Sequence, residues 1–417
     1  MTYSDAPGQS TGAGSVPERN AGSVPERNEG PLAGIRVVDL TRARAGPTCV
    51  RQLADLGADV IAVQSPQGGG AFSSLGSDGA NLHRNKRAIA VDLTTDDGLA
   101  IFFRLVDRAD VVVENFRPDV KHRLGIDPDA VWAVNPRVVY ASISGFGQTG
   151  PYASRPGVDQ IAQGLSGLMS VTGPPGAGPW RVGIAISDTA AGTILTQGVL
   201  AALIARDRTG RGQWVHTSLL ESMVSFMDFQ AARWLIDGEV PGQEGNQHPT
   251  MVPMGAYPTA DGHVNVSSLR DFGAFCALLG EPELADDPRY VDFASRVAHR
   301  AELDADIARL LQVRTSADWV AVLADEVPCG PVLAVDEVFA DPQVQHLHLT
   351  RSVEHPTRGE IQVLRPPLTF SETPASVRSG PPADGADTRA VLAELGYSTT
   401  EIDDLHATGA VGTEERP

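Results

Sequence analysis

From Gly34 onward the chain repeats one rhythm, a short apolar run, a stretch of amphipathic spacing, then another apolar run. Residues 35–40, 59–63, 110–113, 138–142 and 214–218 read as strands. Residues 47–56, 96–108, 189–206 and 219–236 read as helices between them, with Pro47 at a first helical position and Thr94/Thr95 as caps. Strands separated by helices join side by side through right-handed crossovers. The expected fold class is therefore α/β, a doubly wound parallel sheet. After residue 236 the rhythm stops. Residues 237–253 turn to Gly, Gln, Pro and Met and suggest a linker or mobile loop. A hairpin at 256–266 and helices at 270–279, 297–311 and 316–323 then suggest a smaller α+β domain over 254–345. The tail offers strand-like pieces at 361–364 and 368–370 and a helix at 388–395.

At 417 residues the chain has room for two domains and a large core. Residues 1–30 carry a direct repeat, AGSVPERN at 13–20 and again at 21–28. They are too polar to bury much apolar surface, so a disordered N-terminal tail is expected. A net charge of −19 argues against nucleic acid as a partner. No apolar run of about 18 residues stands out, so no membrane partner is expected. Cys49, Cys276 and Cys329 are odd in number and far apart. They fit a cytoplasmic location and neither a disulfide framework nor a zinc site.

The most informative stretch is 138–192, punctuated throughout by Gly and Pro and ending at Asp188 ahead of a helix. Such a run is costly to order and usually marks close backbone approach to a ligand. Inside it, GFGQTG at 145–150 matches a dinucleotide fingerprint. Pro151 and the Arg155-Pro156-Gly157 turn forbid the helix that the fingerprint needs, which sets an oxidoreductase reading aside. Asp188 reads first as a helix N-cap. At the same position, helix N–H groups would favour the ionised carboxylate and ready it as a nucleophile. The chain's two lysines, Lys86 and Lys121, both sit in Arg-containing clusters, 84–87 and 117–123. These are either solvated side chains in an Arg-preferring sequence or a phosphate-binding rim. His346 and His348 lack further ligands nearby, and no metal is expected.

Several segments in order resemble the family III CoA-transferases, the family of formyl-CoA transferase, carnitine CoA-transferase and 2-methylacyl-CoA racemase. They are VVDLTRARAGP (37–47), LADLGADVIAV (53–63), NKRAIAVDL (85–93), VVENFRPD (112–119), NPRVVYASISGFGQTGP (135–151), VDQIAQGLSGLM (158–169), GRGQWV (210–215) and VPCGPV (327–332). The resemblance spans about residues 31–410. It implies a Rossmann-like large domain over 31–236 whose parallel sheet is completed by a return segment, 346–417, with the smaller domain inserted. It also implies an interlocked homodimer.

By the same resemblance Asp188 is the catalytic nucleophile. It would pass through an acyl anhydride and an aspartyl-CoA thioester as CoA moves from an acyl-CoA to a free carboxylic acid. Coenzyme A is then a substrate, and no tightly bound cofactor is implied. Lys86, Arg87, Asn115, Phe116 and Arg123 would hold CoA. The loop 242–250, with Gly245, Asn246 and Gln247, would be a lid. Arg44, where formyl-transferring members carry Gln, could clamp the second carboxylate of a dicarboxylic acid or pair with a local acid. Asp159 would orient groups around Asp188. Racemising members place a His where this chain has Val158, so a racemase is the lesser alternative, and a CoA-binding protein without catalysis is another. Gln64-Ser65, His216 and the Gly-Ala-Asp-Thr of 385–388 depart from the family pattern.

Overall fold

The computed structural model describes residues 30–67, 76–267 and 271–412. The tail expected at residues 1–30 therefore lies, apart from Gly30, outside the described residues. Six strands form one wholly parallel sheet: β1 (Arg36–Asp39), β2 (Asp59–Gln64), β3 (Lys86–Ala90), β4 (Val111–Glu114), β5 (Val139–Ser144) and β6 (Trp214–Ser218). Their spatial order is β3-β2-β1-β4-β5-β6. The direction of winding reverses between β1 and β4, so the connections leaving their carboxyl ends diverge and open a crevice there.

The strands are short, near-continuous apolar runs because both faces are covered. Alternate side chains point to opposite faces. On one face Val37, Val60, Val111 and Ala141 pack against Cys49 and Leu53 of the helix Ala45–Asp55 and against Leu195 and Val199 of the long helix Ile186–Thr209. On the other, Val38, Ile61, Val112 and Tyr140 meet Phe102 and Leu105 of the helix Asp96–Asp107, together with Val391, Leu392, Ile402 and Leu405 from the far end of the chain. By length and composition Ile186–Thr209 could cross a membrane, contrary to the expectation that no run was apolar enough. Its apolar face is instead spent on the sheet.

A second core, with no residue shared with the first two, gathers Tyr257, Val264, Phe275, Ile307, Leu311 and Trp319. It covers the antiparallel sheet of β7 (Met254–Pro258), β8 (His263–Ser267) and β9 (Cys329–Pro331). The hairpin β10 (Thr350–His355) and β11 (Gly359–Leu364) follows.

Five sequence expectations need correction. The parallel sheet is not completed by the return segment 346–417: all six of its strands fall within residues 36–218, and that segment contributes a separate hairpin and helices packed on one face. Strand β3 was not foreseen, because its Lys-Arg start masks the apolar run behind it. The helix expected over 219–236 is two, Leu219–Phe226 and Asp228–Asp237, broken where Asp228 takes φ +42°. Residues 368–370 pair with no strand, since Pro366 and Pro367 just before them have no N–H to donate. The long helix starts at Ile186, not at residue 189, which changes the setting of Asp188.

Candidate active site

Asp188 is the third residue of Ile186–Thr209, and Ala185, not Asp188, stands at the N-cap position. The helix start is capped from a distance. Asp159, first residue of the helix Asp159–Leu165, accepts from the Ser187 backbone N–H at 2.9 Å and from Gln163 Nε2 at 2.8 Å. Ser187 Oγ donates in turn to the Asp159 carbonyl at 3.3 Å. Asp159 does the capping, so the Asp188 carboxylate is left for other work. Burial pushes the Asp188 carboxyl up to about 6, helped by the Asp159 charge and opposed by Arg44. In the sequence only the helix N–H groups are visible, and they favour the ionised form; at about 6 the group is still ionised at neutral pH. Removal from water, with a second carboxylate close by, outweighs the helix N–H groups.

Asp188 opens onto a cavity of about 520 Å³ at the carboxyl ends of β1, β4 and β5. Arg44, Asp78, Asn115, Val158, Asp159 and Arg181 line it with Asp188, and Ser144, Gly145 and Gly157 form part of the wall. Other cavities are larger, including one of about 640 Å³ beside Arg51 and Leu368. That one also holds a carboxyl raised by burial, Asp55, but Arg84 and Asn85 occupy both of its oxygens in a buried framework pair, whereas the Asp188 carboxylate faces open space.

The Gly-rich run supplies the wall, though not as expected. The tightest approach is backbone to backbone. A Cβ on Gly145 would fall 2.6 Å from Gly157 Cα, and one on Gly157 would fall 2.5 Å from Gly145 Cα. The two glycines pinch the 145–157 loop shut beside Asp188. No helix follows Gly150, in line with setting the dinucleotide reading aside.

The remaining candidates separate clearly. Arg44 lines the cavity and its Nη1 donates to Asp78 Oδ1 at 2.5 Å, so the local acid is Asp78. Asn115 lines the cavity too. Its side chain ties the loop after β4 to the loop after β1, accepting from Arg42 N at 2.9 Å and donating to Arg42 O at 2.7 Å. The Arg42 guanidinium lies 5.7 Å from the centre of the neighbouring Phe116 ring. Arg123 is exposed and pairs only loosely with Asp119, at 3.6 Å.

Lys86 and Arg87 do not share a rim. As consecutive residues of β3 they point to opposite faces of the sheet. Lys86 is buried, its Nζ 2.9 Å from Asp39 Oδ2. Arg87 is bound to Asp59 and Glu394. Lys121 is also buried, held by Glu114 Oε1 at 2.8 Å and Gln148 Oε1 at 2.6 Å. Both lysines are framework residues in this structure.

Gly245, Asn246 and Gln247 line a different cavity, of about 510 Å³, against β7, β8 and β9. Their loop is fastened to the Gly-Pro segment that leads to Asp188. Gly245 N donates to Gly173 O at 3.0 Å, and Gln243 Nε2 donates to Thr172 O and Gly178 O at 2.6 Å each. Among the described residues no group of three or more His, Cys, Asp or Glu could hold a metal ion.

Two cavity residues escaped the sequence reading, Asp78 and Arg181. Arg181 lies 3.5 Å from Asp159, and the only signal for it was its place in the Gly/Pro run. Asp78 gave none.

Comparison with known proteins fits this arrangement. The sequence model of CoA-transferase family III matches residues 32–388. The chain belongs to that family. It is 40% identical over 382 residues to the succinate–glutarate CoA-transferase of Agrobacterium fabrum, covering 88% of this chain and 96% of that protein. It is 35% identical to the succinyl-CoA–D-citramalate CoA-transferase of Chloroflexus aurantiacus, covering 88% of this chain and 94% of the relative. Among solved structures, a CaiB/BaiF family protein from Brucella suis superposes with a TM-score of 0.80 at 36% identity, covering 88% of this chain and 99% of the other. A family III transferase acts on CoA thioesters, so this chain is a transferase enzyme with an acyl-CoA substrate.

Proposed function

We propose that the chain moves CoA between two dicarboxylic acids through covalent intermediates on Asp188. The observation that carries this reading is a carboxylate with no hydrogen-bond partner among the described residues, its helix start capped by another acid, facing a cavity that also holds Arg44.

The steps balance as follows. An Asp188 oxygen attacks the thioester carbonyl, the C–S bond breaks, and CoA leaves as the thiolate with the acyl group on Asp188 as a mixed anhydride. The thiolate then attacks the aspartyl carbonyl, releasing the first acid and forming an aspartyl-CoA thioester. The second acid's carboxylate attacks that thioester, again expelling thiolate. The thiolate finally takes the new acyl group and regenerates the Asp188 carboxylate. Splitting the exchange this way keeps every step between neighbouring groups. A carboxylate whose proton affinity is raised by burial is also the stronger nucleophile once ionised.

Arg44 supports the dicarboxylate reading, because a guanidinium beside the nucleophile suits an acid that keeps one charge while the other end reacts. The named substrates of the relatives in Agrobacterium fabrum and Chloroflexus aurantiacus are of that class. Asn115 and Phe116 at the end of β4, with Arg42 and Arg123 exposed nearby, are the proposed seat for the nucleotide end of CoA. Racemisation needs a proton carrier opposite the aspartate, and Val158 lines the cavity where one would stand.

The decisive experiment incubates the chain with succinyl-CoA and looks for an aspartyl-CoA adduct at Asp188 by mass spectrometry. Asp188→Ala is expected to lose the adduct and on the order of 10⁴-fold or more in kcat. Normal turnover by that variant would remove the proposal and revive the reading of a CoA-binding protein whose chemistry lies elsewhere.

We also place the working form as an interlocked homodimer. Trp234, Leu235, Ile236 and Val240, with Leu364, Leu368 and Phe370 further along, are exposed in the single chain. Apolar surface on this scale supports a partner copy.

A further inference from the structure

We propose that Asp78 is a built-in stand-in for substrate: it holds Arg44 in the seat of a dicarboxylic acid's far carboxylate, and that acid displaces it. The inference rests on Arg44 being the substrate clamp proposed above.

Three observations carry it. Arg44 and Asp78 both line the Asp188 cavity, so their ion pair lies inside the reaction space. The contact between them runs through one guanidinium nitrogen, Nη1, while Arg44 Nε is buried with no hydrogen-bond partner among the described residues. A buried donor left unmade is expensive, and a guanidinium binds a carboxylate best through two parallel N–H bonds. A substrate carboxylate lying along the Nε edge makes the bond that Asp78 leaves unmade. Finally, the Asp78 side chain is 57% exposed and lies on the short helix Ser77–His83, so it can turn into water once displaced. A half-exposed ion pair of this kind is weak enough to be exchanged.

The charges favour exchange as well. Asp78, Asp159 and Asp188 outnumber Arg44 and Arg181 in the cavity. An acid that merely added its charge would meet net repulsion, whereas one that replaces Asp78 on Arg44 keeps the count near the guanidinium unchanged. A monocarboxylic acid has no second group to offer Arg44 and leaves the Asp78 pair standing. Asp78 thereby costs a dicarboxylate the breaking of one ion pair and leaves a monocarboxylate unaffected.

The test uses the full chain with succinyl-CoA as donor and two acceptors of equal length, glutarate and valerate. Its readout is the ratio of their kcat/KM values. In Asp78→Asn that ratio is expected to rise about three- to fivefold through a lower glutarate KM, the size of one exposed ion pair. An unchanged or reduced ratio overturns the inference and makes Asp78 a group that positions Arg44. Asp78→Ala, which removes the residual amide, must move the ratio the same way, and circular dichroism checks that both variants are folded. Arg44→Gln separates the two levels. If it leaves the ratio untouched, the clamp itself is wrong. If it collapses the ratio while Asp78→Asn fails to raise it, only the displacement falls.

Discussion

At the scale of single residues, the proposed mechanism turns on the protonation of Asp188. Its carboxyl is lifted to about 6, first by burial and then by Asp159, and only the ionised form attacks a thioester. The sign follows directly: kcat/KM is expected to be flat above pH 7 and to fall as pH drops through about 6, approaching tenfold per unit. A pH–rate profile with limiting donor checks this. Asp159→Asn keeps an oxygen for the Ser187 N–H but removes the neighbouring negative charge, so the acid limb is expected to move to lower pH with the fold intact. An unmoved limb would mean that burial alone sets the value. Asp188 itself was legible in the sequence, because Gly-rich backbone ahead of an acid at a helix start is a readable pattern. Its raised pKa was not, since desolvation and the Asp159 charge arise only when residues far apart in sequence meet. Lys86 and Arg87 show the converse. As neighbours in sequence they looked like one basic cluster, yet placement on a strand sends them to opposite sides.

At the scale of elements, the active site depends on how closely two helices approach. A Cβ at Gly192 would sit 2.6 Å from Ala45 O and 2.8 Å from Thr48 Cβ. The first turn of Ala45–Asp55, just after Arg44, is thus seated directly on the helix that carries Asp188. Gly192→Ala is expected to destabilise the fold by about 1–3 kcal/mol through overpacking, measured by urea unfolding, and to lower kcat by shifting Arg44 against Asp188. Stability equal to wild type would show that the helices can separate without cost. Most of the parallel sheet could be read in advance, because strands buried on both faces leave bare apolar runs. Helix starts were harder. Ile186 begins its helix without a capping side chain of its own, and the cap comes from Asp159, which no local pattern could reveal.

At the scale of the whole molecule, the exposed Trp234, Leu235, Ile236 and Val240 call for a cover. Light scattering after size-exclusion chromatography is expected to give twice the 44.0 kDa chain mass, with no monomer at micromolar concentration. A monodisperse monomer would refute the dimer. The sequence alone did not expose this surface, since nothing in a run such as Trp234-Leu235-Ile236 says whether its own chain or another one covers it. The helices at Thr388–Glu394 and Thr399–Ala407 add one more consequence. They share one face with the helix Asp96–Asp107 on a sheet whose six strands have all been made long before, so on the ribosome part of that face waits, uncovered, for the last segment to emerge. Synthesis that stops short of them leaves part of a greasy sheet bare.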